Sequence, residues 1–385
     1  MASAGELPDD LLGAIYRRCS SPYDRLRFAA VCRSWRAAAL AWRTPLPALP
    51  LLVPSTGNGQ RDRMMRAYSP EDGRVLRAPL PWFPYGKRIV GCHDGGWVAA
   101  TIGCRVEVVN LFTRHRLMQR DFTCRCTGRL YLRETTDKIS LRKVVLSEDP
   151  ATKGCIMAGI TRSRCNILLC MLDCEDGSGW STAGCGTRRI PNLADITFYN
   201  GELYGLSYGA LLHRFIIGQN NNDAYVINWQ QLSTERPIGP GGVNHIFELR
   251  GNLAVAVRNA RILRVFELVA YWDTTTGSYY TWVEVTNLGD HALFLGRGCC
   301  KAAHVSSLEV MHGVVQANRI YYSCPGPGGY VNHLPMFDLG SCAVYCSVGD
   351  SFQHSNRIIS QGYRYRSKDD ASWHDSWTWV LPPDF

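Results

Sequence analysis

Lysine is scarce in this 385-residue chain: only 6 of its 42 basic residues are Lys, the rest are Arg, and none precedes Lys87. The net charge of +9 is spread along the chain, with no dense basic run and no RNA-binding signature, which speaks against a nucleic-acid partner. No uninterrupted apolar run approaches the roughly 20 residues that span a bilayer. Met1 to Gly5 leads into Glu6, Asp9 and Asp10 rather than into a basic, then apolar, leader. None of the 16 asparagines starts an N-x-[ST] sequon. These absences argue against a membrane span and against secretion, and a cytoplasmic and/or nuclear protein is the expectation. The chain has 16 cysteines but no CxxC pair. Cys124, Cys126, Cys165, Cys170, Cys174, Cys299 and Cys300 match no common zinc module, so reduced, buried thiols are expected, with no metal and no cofactor.

What is present divides in two. Leu7-Pro8 leads into a helical pattern with Asp9 and Asp10 in its first turn and Arg17 and Arg18 in its last, the charge order that suits the helix dipole. Leu11, Leu12, Ile15 and Cys19 share one side of it. A second start follows at Ser21-Pro22-Tyr23-Asp24, where Ser21 can cap and Pro22 loses no needed donor. A third helix is expected from about Val31 to Trp42, with Val31, Trp35, Ala38 and Trp42 on one face. Three short helices in some forty residues bury too little surface to enclose all these side chains, so part of the apolar face requires a partner, either another protein or the body of the same chain.

Leu7-Pro8, Leu11-Leu12, Ile15, Arg18, Ser21-Pro22-x-Asp24, Leu26 and Val31-Cys32-Arg33-Ser34-Trp35-Arg36 resemble an F-box, in which an "LP…LL..I" helix leads to a "V-C-[RK]-x-W" helix. The resemblance implies docking onto the Skp-type adaptor of a Skp–cullin–F-box ubiquitin ligase, and through it onto a cullin. The adaptor-binding residues it implies are Leu7, Pro8, Leu11, Leu12, Ile15, Leu26, Val31, Cys32 and Trp35. Truncating a central anchor such as Leu12 or Trp35 is then expected to weaken docking. Tyr16 and Arg17 depart from the pattern, at positions often aliphatic or small.

Pro45, Pro47, Pro50 and Pro54 make residues 45–60 a semi-rigid extended linker, between a helical domain at 1–44 and a large domain at 61–385. Beyond it, β-branched and aromatic runs alternate with Gly, Asp and Asn turns: "GGWVAAT", "CRVEVVNLF", "ETTDKISLRKVVL", "CNILLCMLD", "GELYGLSYG", "GNLAVAVRN", "NRIYYSC" and "WTWVLPPDF". One unit recurs, a strand ending in an aromatic or aliphatic-plus-polar pair, a tight turn and a return strand. Its markers Tyr68, Val109, Leu172, Phe215, Trp272 and Phe337 are spaced as in four-stranded propeller blades, whose repeats run about 40 to 50 residues with loops extra. The fold class expected is therefore a small all-α unit followed by a large all-β domain, a β-propeller of about six blades; an irregular pair of β-sandwiches is the alternative.

The pieces "ITFYNGELYGL", "HIFELRGNLAVAVR", "WVEVTNLGDHALFLG", "ANRIYYSC", "MFDLGS" and "WVLPPDF" resemble the KIB-type β-propeller domain of plant F-box proteins. Together the two resemblances imply a noncatalytic receptor that holds a ligase with its helices and an unidentified target protein with its propeller. The scarcity of lysine suits a chain held beside activated ubiquitin, to which it offers few amines, and an Arg-for-Lys bias from base composition explains it equally well.

Two rivals come from other classes. Gly205-Leu206-Ser207-Tyr208-Gly209 fits G-x-S-x-G, the elbow of a serine hydrolase, with Asp273 and His291 downstream in hydrolase order. Yet Glu202 to Ile217 reads better as a hairpin turning at Tyr208-Gly209. A helix-turn-helix DNA reader would use Arg33, Arg36 and Arg43, but leaves the Val31 and Trp35 face unexplained.

Overall fold

The computed structural model describes residues 7–19, 22–42, 49–54, 64–69, 74–79, 88–102, 105–121, 141–161, 167–172, 181–182, 192–219, 224–232, 243–259, 262–273, 277–305, 315–323, 344–346, 356–357 and 377–382. Three helices come first: α1 (Asp9–Arg18), α2 (Pro22–Ala30) and α3 (Arg33–Ala41). The charge order anticipated for α1 is present, and α3 is a residue or two shorter at each end than expected. Everything described after them is strand and turn, apart from one short 3-10 turn at Asp94–Gly96. No described helix is long and apolar enough to cross a membrane.

Six sheets follow. In order from one edge, the first holds Trp377–Val380, Leu51–Pro54, Met64–Ser69 and Arg74–Pro79; the second Arg88–His93, Trp97–Ile102, Arg105–Asn110 and Arg116–Asp121. The third holds Leu141–Leu146, Ile156–Thr161, Ile167–Met171 and Ser181–Thr182; the fourth Leu193–Tyr199, Glu202–Ser207, Leu212–Gln219 and Ala224–Gln231. The fifth holds Val243–Leu249, Asn252–Asn259, Ile262–Asp273 and Gly277–Val285. These five are four-stranded and wholly antiparallel and make five propeller blades, where about six were expected. The sixth departs from that pattern: Cys300–His304, His291–Leu295, Ile320–Tyr322, Val344–Cys346 and Asn356–Arg357 make five strands, and the second and third of them run parallel.

The sheets close a ring, and one hydrogen bond marks each junction. Arg88 donates to the Leu141 carbonyl, Arg142 to that of Leu193, and the Ile246 N–H to Asp195 Oδ2. Cys300 Sγ meets His245 Nδ1, Trp379 Nε1 donates to the Leu295 carbonyl, and the Cys92 thiol donates to that of Trp379. The core is correspondingly divided. It consists of six apolar wedges, one between each pair of neighbouring sheets, such as Ile156, Ala158, Leu169, Leu193 and Phe215 between the third and fourth. At the ring's seam, Trp379 is fully buried, edge-on to Phe294, which stacks on Tyr321.

All eight runs read as strands in the sequence carry one here. Five of the six repeat markers fall on, or directly after, the third strand of a sheet: Tyr68, Val109, Leu172, Phe215 and Trp272. Phe337 lies outside the described residues. Asn200-Gly201 and Arg250-Gly251 both have positive φ, the backbone of a type I′ hairpin turn, and link the first two strands of the fourth and fifth sheets. One boundary needs correcting. Leu51–Pro54, read as linker, is a strand paired with Trp377–Val380 across the seam. Prolines do favour an extended path there, but an extended chain beside a free strand edge completes a sheet, with Pro54 at the strand's last position.

Candidate functional site

The helices bury one side and leave another bare. Leu12, Tyr16, Phe28, Ala38 and Ala39 form their shared core, with Leu7, Cys19, Trp35 and Trp42 packed against it, and among the described residues none from the sheets takes part. Tyr16 and Phe28 meet with ring centroids 5.4 Å apart, Phe28 and Trp35 at 4.5 Å. At Gly13, a Cβ would come 2.5 Å from the Trp42 indole, so glycine is what lets α1 approach α3. Arg17 closes over the same indole, 4.8 Å from its centroid.

Leu12, expected to enter a partner, is instead fully buried in the helices' own core. Stacked helices turn Leu12 and Tyr16, spaced i and i+4, inward, and Leu11 and Ile15, the next such pair, outward. Leu11 is 52 % exposed, Ile15 38 % and Val31 53 %. Leu40, which the sequence reading passed over, is 68 % exposed. Pro8 is exposed, and its carbonyl accepts the N–H groups of Leu11 and Leu12 at 3.0 Å each. Leu7, Cys32 and Trp35 are half-buried, Cys32 preceding α3 with its Sγ 3.0 Å from Ser34 Oγ. Leu26 lies in α2, but its side chain is outside the described residues, as are Ser21 and Arg43. Tyr16 departs from the sequence pattern because it fills the core that Phe28 lines.

A second feature sits where the strands that abut neighbouring sheets converge. In Leu141–Leu146 and Leu193–Tyr199 the pairing register slips after the first residue, and the irregularity places Lys143 and Asp195 at the start of the regular ladder. Both are buried, with Lys143 Nζ 2.6 Å from Asp195 Oδ1. Asp195 Oδ1 also accepts the Ile196 N–H at 2.9 Å, and Oδ2 accepts that of Ile246 at 3.1 Å. His245, on the next sheet, brings Nδ1 to 3.8 Å from Asp195 Oδ2 and 3.3 Å from Cys300 Sγ on the sixth. Cys300 Sγ lies 3.9 Å from Asp195 Oδ2 and 3.3 Å from the Gly296 carbonyl. Four consecutive sheets thus contribute Lys143, Asp195, His245 and Cys300 to one knot. Burial works against charging Lys143, but the Asp195 carboxylate outweighs it and holds the ammonium at about 12. Burial also pushes the Cys300 thiol up to about 12, opposed by Lys143 and reinforced by Asp195.

This knot lacks the relay of a thiol enzyme. A base takes the thiol proton on one ring nitrogen while a carboxylate orients the other, whereas here Cys300 and Asp195 both face Nδ1 of His245. A thiol pushed up to about 12 also stays protonated. The serine elbow fares no better. Ser207 ends a strand that turns at Tyr208-Gly209 into the strand Leu212–Gln219, as the hairpin reading expected, and its Oγ accepts the Leu211 N–H at 3.1 Å. His291 pairs with its chain neighbour Asp290 at 2.7 Å, on a different sheet from Ser207 and from Asp273. Of the DNA reader's arginines, Arg36 turns back to the Ala29 carbonyl at 3.3 Å.

Sequence had no local signal for the knot. Cys300 stood out only as half of a vicinal pair, and Lys143, Asp195 and His245 were passed over inside strand patterns. The available hint was a charged or imidazole group interrupting each of "LRKVVL", "LADITFY" and "VNHIFEL".

Comparison with known families settles both halves. The KIB1-4 beta-propeller model matches residues 67–354, and the F-box-like model residues 4–46. The chain belongs to the KIB1-4 beta-propeller family. No curated protein matches it. Among solved structures, it is similar to the Malassezia sympodialis allergen Mala s 1, at 10% identity and TM-score 0.39 over 70% of this chain and 87% of that one. It is also similar to the Myceliophthora thermophila Cps50 (Swd1) beta-propeller domain, at 10% identity and TM-score 0.35 over 65% and 76% of the two chains. F-box and propeller domains are typical of noncatalytic adaptors, and the family marks this chain as an F-box protein of the recognition kind.

Proposed function

We propose that this protein is the substrate-recognition subunit of a Skp–cullin–F-box ubiquitin ligase in the cytoplasm and/or nucleus. Its helices dock on the Skp-type adaptor, which joins them to the cullin, and its propeller presents a target protein. The observation that carries the reading is the pair of outward residues Leu11 and Ile15, with Val31 and Leu40, on an F-box-like unit whose own core is already filled. Isolated exposed apolar side chains are ordinary, but four within about thirty residues, two on α1, one on α3 and one in the turn before α3, offer apolar surface that a partner's groove would cover. Ubiquitin transfer then gains from tethering, which makes the encounter of target and conjugating enzyme nearly intramolecular. No side chain of this chain is required to react.

Recovery of purified adaptor by the full chain tests this. Wild type is expected to capture it, and Leu11→Asp/Ile15→Asp to lose capture while melting like wild type. Equal recovery by a correctly folded double variant would sink the reading.

A further inference from the structure

We propose that Asp195, His245 and Cys300 form a binding site for a zinc-like divalent cation near the centre of the ring. The three ligand atoms are Asp195 Oδ2, His245 Nδ1 and Cys300 Sγ, and all lie within 4.8 Å of one another. Their separations are 3.3, 3.8 and 3.9 Å. With Zn–S near 2.3 Å and Zn–N and Zn–O near 2.0 to 2.2 Å, the edges of a tetrahedron run about 3.3 to 3.6 Å. The observed triangle needs only a few tenths of an ångström of closure to seat the ion.

The donor set selects the metal. One thiolate, one imidazole and one carboxylate suit zinc over magnesium or calcium, which take oxygen alone. Partners that orient ligands are in place: Lys143 and the Ile196 N–H hold Oδ1 of Asp195, and the Ile246 N–H steadies Oδ2. Binding forms one S–metal bond as the Cys300 thiol releases its proton to solvent. The cation, thiolate and carboxylate are together neutral, so Lys143 leaves one positive charge at the site, which an anionic fourth ligand such as hydroxide would balance. Cys300 as a residue is only partly buried. Because the three ligands come from the fourth, fifth and sixth sheets, the ion would bolt together three sheets that share no strand.

Cobalt(II) titration of the reduced full chain reads this directly, since a thiolate in a tetrahedral cobalt site gives a near-ultraviolet charge-transfer band. One equivalent is expected to produce the band in wild type and in the control Cys19→Ser, and zinc to abolish it. Cys300→Ser is expected to lose the band, and His245→Gln to weaken binding by about 100-fold or more, at or beyond the effect of losing an outer partner. Absence of the band in folded wild type, or its persistence in Cys300→Ser, would overturn the proposal, leaving the knot a hydrogen-bonded tie. Should the variants fail to fold, zinc-edge X-ray absorption on wild type decides: one sulfur among nitrogen and oxygen neighbours supports the site, and an all-sulfur shell refutes it.

Discussion

Lys143 and Asp195 form an ion pair across two sheets, 2.6 Å from nitrogen to oxygen, with both side chains almost wholly removed from water. Asp195 also accepts the Ile196 and Ile246 N–H groups and meets His245 and Cys300 through Oδ2. Lys143→Met leaves a carboxylate buried without its cation and is expected to destabilise the protein by about 3 to 5 kcal/mol. The double change Lys143→Met/Asp195→Leu should recover much of that loss. Urea unfolding of the three chains checks it, and a single variant as stable as wild type would contradict the pairing.

Leu11 and Leu12 are chain neighbours with opposite fates. Leu12→Ala opens a cavity in the helical core and should cost about 2 to 5 kcal/mol of the helices' stability. Leu11→Ala should change stability by less than about 0.5 kcal/mol, as surface changes do. Helical circular dichroism during denaturation separates the two, and equal losses would mean that Leu11 is covered in the folded chain.

Trp379→Ala removes the side chain that fills the seam between the first and sixth sheets, along with its bond to the Leu295 carbonyl. A loss of about 3 to 5 kcal/mol is expected. Removal of Trp377 to Phe385 takes the whole strand and should abolish cooperative melting of the sheets while leaving the helical signal. A truncated chain with an unchanged melting temperature would rule out this closure.

His213 is buried on the strand Leu212–Gln219, edge-on to Trp229, and neither ring nitrogen has a hydrogen bond. Burial lowers its pKa to about 4. The unfolded chain, with an ordinary histidine near 6.5, therefore binds the extra proton between those values, and stability falls as pH drops from about 6.5 towards 4. Above about 6.5 both states are neutral there and the group contributes no slope. His213→Phe should flatten this part of the stability profile; denaturation midpoints at pH 7 and pH 5 that shift equally in both chains would dismiss the assignment.

The architecture was legible where local chemistry repeats. Tyr68, Val109, Leu172, Phe215 and Trp272 were found by pattern alone because each lies on, or directly after, the third strand of its sheet, where a large apolar or aromatic side chain recurs. The helices were legible from Asp9, Asp10, Arg17 and Arg18, which report end charges. Which face points outward was not, since Leu11, Leu12, Ile15 and Tyr16 differ little in polarity and only the docking of α3 on α1 at Gly13 chooses among them. The role of Leu51–Pro54 was hidden for a different reason: its partner lies over three hundred residues away. Asp195, His245 and Cys300 were beyond reach in the same way, because spacing motifs detect ligands that share one loop, and these share only a ring.

That the first sheet is stitched from strands more than three hundred residues apart sets an order of events during synthesis. The ribosome delivers Leu51–Pro54 more than three hundred residues before Trp379, so the ring stays open, with the edge of that strand bare, until Trp377–Val380 emerges. A message cut short before that codon would yield chains that keep the three helices and never shut the ring.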